Sequence, residues 1–125
     1  MAFKTVIFFC QNLGYKKSEM FQALDLPGEF GVRLTPIPCS AEVTVGLLLK
    51  TFEADVDAIF ILGCPENLCQ SGEGSIRAEK RVKHTQKILD ELDIGKERLA
   101  MFEVNGAKEL KQIAIDMKKR CLNII

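Results

Sequence analysis

The sequence carries no surplus of charge: 17 Lys and Arg balance 17 Asp and Glu across 125 residues. No net field therefore draws the chain to nucleic acid or to an anionic membrane. No apolar run reaches the length of a membrane span. The run Phe3-Lys4-Thr5-Val6-Ile7-Phe8-Phe9 is too short, and too soon followed by polar residues, for a signal peptide. A cytoplasmic protein is expected. The single histidine, His84, falls on the charged side of a predicted helix with no partner at ligand spacing, so it reads as a surface residue. Paired carboxylates at strand ends, which a phosphoryl-accepting or hydrolytic site needs, are missing. Gly72-x-Gly74 lacks the third glycine of a dinucleotide fingerprint. Repeats, linkers and low-complexity segments are also missing, so residues 1–125 read as a single α/β domain.

What is present is an apolar-rich chain, 47% hydrophobic, with five cysteines at positions 10, 39, 64, 69 and 121. That composition supports a core without disulfide staples. In a reducing cytosol the thiols are not expected to pair, so metal binding, catalysis or burial must account for them. Apolar periodicity predicts strands over residues 5–9, 32–37, 58–62 and 98–104. The second alternates apolar with polar and contains Pro36, as an edge strand does. Between them the spacing predicts four helices. The first is capped by Ser18, with Met20, Phe21 and Leu24 on one face. The second is capped by Ser40 and runs to about residue 55. The third covers residues 75–92, with Ala78, Val82, Thr85, Leu89 and Leu92 inward and Glu79 paired to Lys83 outward. The last carries Leu110, Ile113, Ala114, Met117 and Cys121 as its core stripe. Strand and helix alternate four times with connections too long for hairpins. This predicts a small four-stranded parallel sheet, flavodoxin-like in order 2-1-3-4, with helices on both faces.

Under that order Cys10, Cys39 and Cys64 fall at the carboxyl ends of three adjacent strands, where open α/β sheets bind ligands. Neighbouring strands lie about 4.8 Å apart, so the outer two thiols start about 10 Å apart and can converge on a small object. Cys69 follows Cys64 on one loop at C-x4-C spacing, not the C-x2-C of thioredoxin-like sites or zinc knuckles. It could close a fourth side. Four thiolates suit zinc or an iron–sulfur cluster, and ligand type alone does not separate them. The surroundings favour the cluster, because helices follow the cysteine loops and their N-termini favour negative charge. Ser40, Ser71 and the Gly72-Glu73-Gly74 turn could add hydrogen-bond donors. Arg77 or Arg81 could offset the cluster's charge or meet an acidic partner. Leu13 and Leu68, apolar in polar loops, mark with Tyr15 and Arg77 an expected docking surface. Cys121, on the apolar stripe of the last helix, reads as structural.

Phe9-Cys10, Cys39-Ser40 and above all Gly63-Cys64-Pro65-x-x-x-Cys69-x-x-x-x-Gly74-x-x-x-Ala78-Glu79-x-Arg81-Val82 resemble the delta subunit family of methyl-viologen-reducing hydrogenase. The resemblance runs over nearly the whole chain. It implies an electron-transfer subunit carrying one [2Fe-2S] cluster, with Cys10, Cys39, Cys64 and Cys69 matching family cysteines. The partners it implies are a hydrogenase or formate dehydrogenase on one side and a heterodisulfide-reductase-type flavoprotein on the other. The family's first motif usually has a second thiol three residues on; this chain has Leu13 there. The alternative is a zinc-binding or metal-free assembly or regulatory module of the same fold. A thiol–disulfide enzyme is disfavoured by the missing C-x-x-C.

Overall fold

Four strands alternate with four helices in the computed structural model, which describes residues 3–64, 74–105 and 107–124. In chain order they are β1 (Thr5–Cys10), α1 (Lys17–Leu24), β2 (Val32–Ile37), α2 (Val45–Glu53), β3 (Ala58–Gly63), α3 (Gly74–Glu91), β4 (Leu99–Glu103) and α4 (Ala107–Ile124). All pairings are parallel and the sheet order is β2-β1-β3-β4, as the alternation of elements predicts.

The strands show why this order holds. β1 and β3 are buried at every position, as central parallel strands covered on both faces must be. β2 is buried only at Leu34 and Ile37, not at every second position, and keeps Pro36, as a strand at the edge can. Alternation along the strands sends Ile7, Phe9, Phe60 and Leu62 to a core shared with Met20 of α1 and Leu110, Met117 and Cys121 of α4. Val6, Phe8, Ile59 and Ile61 point the other way, against Leu48 of α2 and Ala78, Val82 and Leu89 of α3. At Gly31 the left-handed backbone, φ +56°, and the carbonyl of Phe3 in the space a Cβ would need both demand glycine.

Four local expectations are corrected. Ser18 does not cap α1, which begins at Lys17; the carboxylate of Glu19 instead accepts the N–H of Lys16 at 3.0 Å. Ser40 does not cap α2. A single 3-10 turn, Ser40–Glu42, intervenes, and the helix is capped by Thr44, whose Oγ1 accepts the N–H of Leu47 at 3.0 Å. Phe21 and Leu92 are exposed rather than inward: Phe21 lies on the outer side of α1, and Leu92 falls just past Glu91, where α3 has already ended. Glu79 and Lys83 do pair, at 3.3 Å, on the solvent side of α3.

Candidate thiolate site

Cys10 is the last residue of β1, and Cys64 follows the last residue of β3 directly. The two strands are hydrogen-bonded neighbours in register from Thr5↔Ala58 to Phe9↔Leu62. This carries both thiols to the same edge, where their Sγ atoms lie 3.7 Å apart in a buried setting. The thiol of Cys64 points at Cys10, and that of Cys10 at the carbonyl of Pro38, 3.9 Å away just beyond the end of β2. Asn12 Nδ2 donates to the same carbonyl at 3.4 Å. A line of polar contacts therefore joins the ends of three adjacent strands.

Cys39 begins the 3-10 turn after β2. Its sulfur caps that turn, accepting the N–H of Ala41 at 3.4 Å. A backbone donor thus meets a thiol, as the sequence leads one to expect, but it comes from the short turn and not from α2. Next to it, Ser40 is 1% exposed, and its Oγ has no hydrogen-bond partner among the described residues. A buried hydroxyl without a partner costs about 1–3 kcal/mol, so such an atom beside a thiol is a donor awaiting an acceptor.

Among the described residues, no three Cys, His, Asp or Glu side chains are grouped to hold a metal ion; Cys39 does not form a triad with Cys10 and Cys64. Cys69, Ser71 and Gly72 lie outside the described residues, as does Leu68. Gly74 opens α3. Arg77 is exposed on that helix. Arg81 is turned inward: its Nη1 donates to the carbonyls of Ala41 at 2.7 Å and Val43 at 2.9 Å. The sequence carries no hint of this contact, since its partners lie 40 and 38 residues away.

The pair that is brought together fits a thiolate-bound metal. Two sulfurs about 2.3 Å from one tetrahedral ion stand about 3.8 Å apart. The observed 3.7 Å matches this spacing without rearrangement. Leu13, at the position where a further thiol could have stood, packs with Tyr15 against the α1–α4 core. Each is half-buried there, so only part of either side chain is left for the docking surface expected at this edge. Cys121 is remote from this edge: it is buried, its Sγ lies 3.9 Å from Thr5 Oγ1 at the start of β1, and burial pushes its thiol up against the weaker lowering by that hydroxyl. His84 is exposed. A groove of about 640 Å³ between β2 and α2, lined by Lys4, Val6, Phe8, Arg33, Thr35 and Leu47 among others, contains none of the thiols.

Fold and edge together define a small doubly wound α/β protein that carries thiols where its parallel strands end. The chain belongs to the methyl-viologen-reducing hydrogenase delta subunit family (FlpD), which it matches over residues 5–123. It is 36% identical over 100 residues, 80% of this chain and 75% of the relative, to the iron-sulfur subunit of the F420-non-reducing hydrogenase vhu from Methanococcus maripaludis. To the protein of the same description from Methanocaldococcus jannaschii it is 28% identical over 109 residues, 87% of this chain and 81% of the relative. An F420-non-reducing hydrogenase iron-sulfur subunit from Archaeoglobus profundus is 29% identical over 106 residues, 85% of this chain and 77% of that one. No helix among the described residues is long and apolar enough to cross a membrane.

Proposed function

We propose that this chain is the electron-transfer subunit of a hydrogenase-associated complex and holds one [2Fe-2S] cluster on Cys10, Cys39, Cys64 and Cys69. The observation that carries the reading is the 3.7 Å separation of Cys10 and Cys64 at the carboxyl edge. Relatives described as iron-sulfur subunits of hydrogenases support it. The family resemblance extends it to the cluster type and to the partners: a hydrogenase or formate dehydrogenase as donor and a heterodisulfide-reductase-type flavoprotein as acceptor, in the cytoplasm. When bound, the cluster supplies a one-electron carrier.

The chain's own residues do the rest. Cys10 and Cys64 give up their protons on binding, since thiolates are the ligands. Cys39, which is not grouped with that pair in the structure, would have to join it from the turn after β2, where its sulfur accepts the Ala41 N–H. Ser40 Oγ gains the acceptor it lacks, and donors of this kind raise the potential of a negatively charged centre. The reading also takes Ser71, Gly72 and Gly74 as further donors and Arg77 as a positive charge that offsets that of the cluster. Leu13 leaves the first loop with one thiol, so the set is four.

The test is iron and sulfide analysis of anaerobically purified protein, with visible absorption and low-temperature electron paramagnetic resonance after reduction. About two iron and two sulfide per chain are expected. A colourless protein that takes up only zinc would overturn this in favour of a zinc-binding assembly or regulatory module. The sulfur separation also admits that ion.

A further inference from the structure

The 3-10 turn Ser40–Glu42 is closed at both ends by side chains. At its start the sulfur of Cys39 accepts the N–H of Ala41. The turn's own bonds run from Glu42 N to Cys39 O and from Val43 N to Ser40 O, both 3.0 Å. They leave the carbonyls of Ala41 and Val43 without donors inside the turn. Arg81 Nη1 meets both, at 2.7 and 2.9 Å, from two turns into α3. Orphan carbonyls at the end of a helical turn need a donor, and a charged one binds them more strongly than a neutral one. Ala41 is thus gripped on both sides, with its N–H on the Cys39 sulfur and its carbonyl on the guanidinium. Beside it the hydroxyl of Ser40 is buried with no partner among the described residues, a state that a loose loop would relieve by turning it to water.

We infer that Arg81 is a positioning residue for Cys39: by holding Ala41 and Val43 it fixes the turn whose amide supports the Cys39 sulfur and whose hydroxyl is held ready for an acceptor. The inference deepens the reading of Cys39 as a ligand and rests on it. Arg77, four residues earlier on the same helix, is exposed.

The experiment compares wild type with Arg81→Met and Arg81→Lys as full-length protein. In the metal-free form, hydrogen exchange of the Glu42 and Val43 amides reports opening of the turn. Arg81→Met should speed it about tenfold or more, since bonds from a charged donor are lost, while the amides of α4 stay as in wild type. In the iron-loaded form, Arg81→Met should release iron to a chelator faster and alter the resonance spectrum of the reduced protein. Arg81→Lys keeps a charged donor and should restore both in part. Unchanged exchange at Glu42 and Val43 in Arg81→Met overturns the inference, as does iron release equal to wild type. If Arg81→Met does not fold, Arg81→Lys decides: exchange and iron release both equal to wild type would then count against it. A wild type that binds no iron overturns the electron-transfer reading, and the exchange arm alone then decides whether Arg81 holds the turn.

Discussion

Cys10 and Cys64 at one end of the sheet and Cys121 at the other are buried alike, at 2%, 5% and 1% exposure, yet they have different neighbours. Cys10 has a second sulfur at 3.7 Å, just past Phe9↔Leu62, the last pairing of β1 with β3. Cys121 has a threonine hydroxyl at 3.9 Å, between a helix stripe and the start of β1, inside the packed layer. Burial therefore says little about what a thiol is for. What separates the two is whether the fold supplies a second soft donor at the distance one metal ion requires.

The strongest way to break this comparison is to remove sulfurs one at a time. Cys10→Ser or Cys64→Ser should lose most of the bound iron, at least about fivefold per chain by elemental analysis, because a hydroxyl is a poor substitute for a soft thiolate. Cys121→Ser should keep all of it, and equal loss in all three variants would erase the distinction. Stability should show the reverse ranking. Cys121→Ser puts a hydroxyl in the α1–α4 core at a cost of roughly 1–3 kcal/mol. The nearby Thr5 hydroxyl offers it a partner, so urea midpoints should place the loss near the lower end.

The third difference is in pH. Burial raises the Cys121 thiol above its ordinary value of 9.0. As pH climbs past that value the unfolded chain releases the proton first, so the unfolded state binds fewer protons and stability falls. The contribution is complete below pH 9.0 and is lost as pH rises to the folded value. Metal-free wild type should therefore lose more stability than Cys121→Val between pH ~8 and ~10.5, a window that brackets a thiol of ordinary value. Parallel curves would show that the thiol does not contribute. The smallest effect is expected at Ser40→Ala. Losing one donor worth about 0.5–1.5 kcal/mol should lower the midpoint potential by roughly 20–60 mV. In the metal-free protein the same change removes an unpartnered hydroxyl and should leave the melting temperature unchanged or raised.

Much of this was legible in the sequence, because alternation reports layers. The unbroken apolar runs of β1 and β3 announce central strands, and the half-apolar β2 with Pro36 announces an edge; the order then follows from connection lengths. The thiol edge follows in turn, since Cys10 and Cys64 close their strands. Apolar spacing misled at Phe21, which is exposed on α1, and at Leu92, because the helix stops one residue short of it. Serine as a cap misled at Ser18 and Ser40, because Glu19 and Thr44 were better placed. Arg81 was not legible at all: its acceptors are backbone carbonyls, which any residue supplies, so the sequence holds no mark of the contact.

The strand order also dictates a timetable. Of the four strands, the first to leave the ribosome is an interior one, and its second edge stays open until β3 emerges. Cys10 and Cys64 are 54 residues apart, a gap of roughly 3–10 s at ordinary translation speeds. Through that interval Cys10 sits beside an unpaired strand edge with no second sulfur to share a ligand. If the edge holds the proposed cluster, loading would therefore wait for β3 to dock, and iron and sulfide delivered to the nascent chain would find only half of the pair in place.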